Sequence, residues 1–314
     1  MEPSITNNLI TTDKPFIEAN TLPMTLEEIK EDHIIPVFTK DNTPLINQYE
    51  LIDLFSEEII NIGEKPSNPE IRVSHPIKGR IPAARNKKAI DLLPHEKTLY
   101  YQRMMFVMRL HHKDTLNGNE VQVIAGGIKA YNQDKLHANK DTQQHFKLFI
   151  GLQVKVCCNL CVWTDGAALN VKASSLYELR SQIQELITSY DPYHQMNSMK
   201  GWNEYALDED QFAYFLGRCR LYHQMPYKQQ KQLPELLLSD TQLSSVASSY
   251  YTNEDFRQDN GYIDLWSLYN LFTSANKSSY IDKALERNTN AAQMVSQLKR
   301  ALEGNDFWYF KPQI

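Results

Sequence analysis

Leu116-Asn-Gly-Asn119 is the feature that most restricts the fold. Asn-Gly between apolar runs is a strong short-range hairpin signal, because both residues tolerate the positive φ that a tight two-residue turn demands. The flanking runs are Leu99–Leu110, aromatic and Met-rich with Arg103 and Arg109 inside it, and the weakly alternating Val121-Gln-Val-Ile124. Phe146–Ile150 and Val154–Trp163 add apolar strand material, and Thr164-Asp-Gly166 reads as a closing turn. Gly126-Gly127 predicts a bend or bulge. Residues 70–173 are therefore expected to form a curved antiparallel sheet.

After residue 173 the apolar period becomes helical. Ser175-Leu-Tyr-Glu178 is a capping box ahead of Leu179, Ile183, Leu186 and Ile187. Asp208 is expected to cap a helix carrying Phe212, Phe215, Leu216 and Cys219, and Asp240 one carrying Leu243, Val246, Ala247 and Tyr250. Asp264 precedes Leu265, Trp266, Leu268, Tyr269 and Phe272, and Ala291–Leu302 repeats the pattern up to Gly304. Such helices need one another's apolar faces. Ahead of the sheet, Leu51, Ile52, Phe55, Ile59 and Ile62 recur at helical spacing, with Gly63 and Pro66 as a stop. The first 45 residues are polar and broken by Pro3, Pro15, Pro23, Pro36 and Pro44, with a short helical turn over Thr25–Lys30. The expected class is α+β: an extended arm over 1–45, a β-rich region over 46–173 with one leading helix, and a mostly helical region over 174–314 packed on the sheet.

Composition is that of a globular protein, with 42% hydrophobic and 23% charged residues, so a sizeable core can form. Met1–Lys14 has no charged segment followed by an apolar run, and no stretch is long and apolar enough for a bilayer. A cytoplasmic compartment without a membrane partner is expected, with Cys157, Cys158, Cys161 and Cys219 as thiols.

The charge distribution is uneven. Arg72, Lys78, Arg80, Arg85, Lys87 and Lys88 fall within a segment that holds no anion, in a chain of formal charge −5. A basic island in an acidic protein is a candidate polyanion site. Pro76, Gly79 and Pro82 keep it extended, suited to following a phosphate backbone. Tyr100 and Tyr101 lie shortly after it as candidates for stacking on unpaired bases, as does Phe106, for which core packing is the stronger reading. The ordinary explanation of such an island is a solvated surface loop.

Other chemistry is thinly supported. There is no Gly-Lys-Ser/Thr, no Gly-x-Gly-x-x-Gly and no His-Glu-x-x-His. Cys158, Cys161, Cys219 and His223 have zinc-ligand spacing within each pair, yet Cys157–Trp163 reads as a buried strand, where residues three apart face opposite ways. Ser274 and Lys277 match an acylation dyad without its companion motifs. Glu204, Asp208, Glu209 and Asp210 resemble a Mg²⁺ cluster, but anions in a first helical turn are favoured by the helix dipole alone. No cofactor and no catalytic residue is expected.

Several stretches carry a resemblance: Ile35–Pro44, Ser74-His-Pro-Ile-Lys-Gly-Arg-Ile-Pro82, Glu96–Tyr101, Gly126–Asn132, Val156–Gly166 and Leu265–Tyr280. From about residue 30 to 304 the chain resembles an uncharacterised domain-of-unknown-function family of Bacteroides-type bacteria and their mobile elements. It is more distantly similar to a broader phage/plasmid-like family. The resemblance implies a mobile-element setting and no catalytic residue. The leading expectation is a non-enzymatic DNA-binding accessory protein of a phage, plasmid or integrated element. Single-stranded DNA is favoured, and the protein is expected to bind or anneal it as a homo-oligomer. The alternative is a factor that binds a host or defence protein through the Leu51–Ile62 stripe. The second alternative is a metal-dependent enzyme.

Overall fold

The computed structural model describes residues 15–31, 45–84, 86–134, 143–155, 159–162, 168–253, 256 and 261–311. The described strands are β1 (Thr21–Met24), β2 (Glu70–Ser74), β3 (Pro76–Arg80), β4 (Lys97–Tyr101), β5 (Arg103–Leu116), β6 (Asn119–Ala130), β7 (Gln144–Val154), β8 (Leu160–Cys161), β9 (Ala168–Ala173), β10 (Ala206–Leu207) and β11 (Ile263–Asp264). The helices are α1 (Leu26–Glu31), α2 (Gln48–Asn61), α3 (Leu176–Ser189), α4 (Pro192–Met199), α5 (Glu209–Gln224), α6 (Tyr227–Gln230), α7 (Asp240–Thr252), α8 (Leu265–Asn276) and α9 (Ile281–Leu302). The fold is α+β: a curled antiparallel half-barrel precedes a helical half. No described helix is long and apolar enough to cross a membrane.

The main sheet runs β1-β2-β5-β6-β7, and β8 and β9 share the far edge of β7. Its centre is the β5–β6 hairpin, with Leu116 paired to Asn119. Asn117 and Gly118 both have positive φ, 49° and 81°, the conformation a two-residue hairpin turn requires. Gly126 and Gly127 lie in mid-strand rather than at a bend, and the register of β5 shifts instead between Arg109 and Lys113. A Cβ on Gly126 would stand 2.1 Å from the Phe106 carbonyl oxygen and 2.7 Å from the Phe149 ring. Glycine is there so that strands bearing large aromatics can approach closely.

Both faces of the sheet are covered, which explains why its strands alternate so weakly. Met104, Phe106 and Met108 face a core shared with α2, α3 and the C-terminal helices. Met105 and Val107 face a second cluster with Phe16, Ile17 and α9 residues Ile281, Ala284 and Leu285. Residues 15–31, expected within an extended arm, are packed: Phe16 and Ile17 are buried, and β1 is an edge strand. On α2, Leu51, Ile52, Phe55 and Ile59 are buried in the chain's own core, while Ile62 is exposed. Each buried side chain of that size contributes roughly 1.5–3 kcal/mol, so Leu51, Ile52, Phe55 and Ile59 serve the fold.

Caps set the helix starts. Asn47 and Glu50 form a capping box on α2, and Asp208 and Gln211 one on α5. Asp264 caps α8. Ser239, one residue before Asp240, caps α7 with Gln242. Ser175 caps α3, but Glu178 bonds Ser174 rather than closing a reciprocal box. The last helix begins ten residues before the expected start at Ala291, at Ile281.

Candidate nucleic-acid interface

The basic island lies on a two-stranded ribbon. Strands β2 and β5 pair from Glu70↔Val107 to Val73↔Met104. Beyond His75 and Gln102 the same register resumes as β3 and β4, from Pro76↔Tyr101 to Arg80↔Lys97. The Ile81 amide donates to the Glu96 carbonyl at 2.9 Å and extends the ladder once more. The neighbours stop short: β1 ends opposite Ser74, and β6 ends with Ala130 opposite Arg103. The ribbon therefore continues past the end of the sheet for five residue pairs, roughly 16 Å at strand rise. Pro76, which has no amide hydrogen, is tolerated at the start of an edge strand.

Charge concentrates on this projection. Between Pro76 and Lys97 stand the cations Lys78, Arg80, Arg85, Lys87, Lys88 and Lys97 against the anions Asp91 and Glu96. That is a net +4, which leaves −9 on the rest of the chain. The backbone register sets Arg80 directly across from Lys97 and Lys78 across from Leu99. Lys88 and Lys97 are exposed. Arg85 lies outside the described residues. The far end is a chain of short 3-10 turns, Pro82–Ala84, Ala89–Asp91 and Pro94–Glu96. Glu96 clasps it: its carboxylate accepts from the Lys87 ammonium and from the Leu93 amide at 2.9 Å. These two donors hold the Glu96 carboxyl below the usual carboxylate range. At this end Ile90 is 90% exposed and Leu93 49%.

Three of the expected contact residues instead fasten the base of the ribbon. The Arg72 guanidinium donates to the Thr21 hydroxyl at 3.1 Å and the Thr21 carbonyl at 3.2 Å, tying β2 to β1. Tyr100 and Tyr101 are only 7% and 8% exposed. The Tyr100 ring meets Tyr131 edge-on at 6.3 Å, and the Tyr101 carbonyl accepts from Gln48 at 2.7 Å. Buried rings offer no face to a base, so the expectation that Tyr100 and Tyr101 stack is corrected. Phe106 is buried in the core.

A buried polar network that was not visible in the sequence supports this base. The Tyr131 amide donates to the Gln102 carbonyl at 2.9 Å, and the Arg103 amide to the Ser74 hydroxyl at 3.1 Å. Arg103 Nε lies 3.0 Å from Asp282 Oδ1, an ion pair outside hydrogen-bond geometry. Asn132 donates to the other Asp282 oxygen at 3.3 Å. Lys147 donates to the Asp282 carbonyl at 2.5 Å and pairs with Glu286. On the opposite face Lys129, fully buried, donates to Asp134 at 2.7 Å. Burial pushes the Lys129 ammonium down to about 8, against the pull of Asp134. Two lysines interrupting apolar strands, Lys129 and Lys147, were the only local sign, and Glu286 is 139 residues from its partner.

The model of a family described as a domain of unknown function from a B. theta gene, DUF3871, matches residues 4–310. The chain belongs to the DUF3871 family. No curated protein and no solved structure matches it.

Among the described residues, the other candidates of this DUF3871 member do not assemble into a site. Among the described residues, no three His, Cys, Asp or Glu side chains gather as a metal site would. Cys158 lies outside the described residues. Cys161 and Cys219 are buried, and burial pushes the Cys219 thiol up. His223 Nε2 faces the Leu238 carbonyl at 2.7 Å, which requires that nitrogen to carry the proton. Asp208 caps α5, and Glu209 accepts from the Tyr251 hydroxyl. Ser274 is exposed while Lys277 is buried, so they do not share a surface. A polar cleft of about 390 Å³ lies where the β5–β6 turn meets α4, lined by Asp114, Asn117, Tyr193, Lys200 and Glu204. Its opposed charges select no ligand class.

Proposed function

We propose that this protein is a nucleic-acid-binding accessory protein, set in a mobile element by the phage/plasmid-like resemblance, and that it grips phosphates through the β3–β4 ribbon. The observation that carries the reading is the net +4 of a ribbon that outruns the sheet of an otherwise acidic chain. An acidic body repels a polyanion, and cations carried beyond its edge can engage one while the body stands off. Lys78, Arg80, Lys88 and Lys97 are the phosphate contacts. With Tyr100 and Tyr101 buried, the stacking basis for a single-strand preference is gone. A two-stranded ribbon is narrow enough to enter a groove of duplex DNA.

The test is fluorescence anisotropy of labelled duplex and single-stranded oligonucleotides titrated with the full chain at several salt concentrations. Saturable binding at low salt, tighter for the duplex, is the expected result. An absence of binding to either form at low salt and micromolar protein refutes the reading.

A further inference from the structure

We infer that Ile90, at the tip of the ribbon, is a wedge that enters a base-pair step of bound duplex DNA and bends it. The inference rests on the reading of the ribbon as a nucleic-acid contact and adds what its tip does. Ile90 has the highest exposure of any large hydrophobic side chain among the described residues, at 90%. With Leu93 49% exposed three residues on, it gives the end of the projection an apolar surface that the chain's own packing does not use. The tip is built to present it. The Asp91 amide donates to the Lys88 carbonyl at 3.0 Å and the Lys87 amide to the Ala84 carbonyl at 3.0 Å, closing consecutive turns around it. Ala84 is buried beneath them, and Glu96 locks the return strand to Lys87 and Leu93.

The surroundings choose the occupant. Lys88 is exposed beside the turn, Lys87 is held by Glu96, and Leu93 adds a second apolar contact three residues on. Cations beside an apolar point are what a bent duplex calls for. The side chain unstacks a step, the helix kinks, and Lys88 meets the phosphates that the kink brings together. A neutral protein groove would gain nothing from the cations. An anionic lipid surface would, and it forms the contrasting arm of the test.

The experiment uses the full chain, a duplex end-labelled with a donor–acceptor pair and carrying a central TA step, and the variants Ile90→Ala and Lys88→Glu. Wild-type protein raises the energy-transfer efficiency on binding, and it prefers a duplex with a two-nucleotide bulge by about tenfold or more, since the bulge removes the unstacking cost. Ile90→Ala binds with the same salt dependence but leaves the efficiency of free DNA and shows no preference for the bulge. Lys88→Glu weakens binding to both duplexes alike. Wild-type binding without a rise in efficiency, or an Ile90→Ala variant that bends DNA as wild type does, overturns the wedge and leaves phosphate binding standing. Failure of wild type to bind any duplex overturns the underlying reading and the wedge with it. Ile90-dependent binding to vesicles of phosphatidylserine and phosphatidylcholine, without DNA bending, also overturns it.

Discussion

Alanine at Gly126 tests the close approach on which the coiled sheet depends. The added Cβ would lie 2.1 Å from the Phe106 carbonyl oxygen, 3.1 Å from its carbonyl carbon and 2.7 Å from the Phe149 ring. The ring can turn a little, but the carbonyl belongs to the neighbouring strand, so β5 and β6 must separate by more than an ångström at their centre. Overpacking in a well-packed core costs typically 1–3 kcal/mol, and a backbone obstruction sits at or above the top of that range. Gly126→Ala is therefore expected to lose about 3 kcal/mol or more. With a urea slope of about 3 kcal/mol/M, the midpoint falls by roughly 1 M. Gly217 is the internal control. It lies on an exposed turn of α5 with nothing within 4 Å of an added Cβ. Gly217→Ala is expected to gain about 0.5–1 kcal/mol of helix stability. Urea unfolding followed by circular dichroism measures both. A Gly126→Ala midpoint within 0.2 M of wild type would refute the steric account of the sheet.

Asn117→Ala removes a residue at φ 49° whose side chain donates to the Met199 carbonyl at 2.9 Å and accepts from the Gly201 amide at 3.2 Å. A loss of about 1–3 kcal/mol is expected in the same assay, and an unchanged midpoint would show that the hairpin tip is not pinned to α4. Glu58 is buried and accepts from Arg180 and from Gln184 at 2.6 Å, so Glu58→Ala removes this tie between α2 and α3, while Arg180 keeps its bond to Glu57. A fall of about 1–3 kcal/mol is expected, and a neutral result would refute the tie. Lys129 gives a pH signature. Its folded value, about 8, lies below the unfolded value near 10.5. Between these values the unfolded chain binds more protons, so this group makes stability rise with pH across that window. The difference in Tm between wild type and Lys129→Met, followed from pH 7.5 to 10.5, is expected to grow in favour of wild type, and a flat difference would contradict the burial account.

Local signals were legible and long-range ones were not. Asn117-Gly118, the Asp208 and Asp264 caps and the α2 stripe each act within a few residues, and each produced the element expected of it. The start of α9 was hidden because Tyr280 makes no side-chain cap bond and the first turns carry Asp282, Lys283 and Glu286 among the apolar residues. Gly126-Gly127 reads as a break in sequence, yet its role is set by Phe106 and Phe149 on the adjoining strands. The island's charge and its extended shape could be read directly. That Arg72 is bonded to β1, and that Tyr100 and Tyr101 face inward, depended on Thr21, Gln48 and Tyr131, contributed by other parts of the chain.

Comparing the salt dependence of duplex binding for wild type and the double variant Lys88→Glu/Lys97→Glu tests the central claim most directly. Four phosphate contacts give a slope of log K against log salt of about −3.6 for wild type. The variant is expected to bind far more weakly at every salt concentration, with its slope reduced by about 2 or more. Equal affinities and equal slopes for the two proteins would contradict the assignment of the ribbon as the nucleic-acid contact.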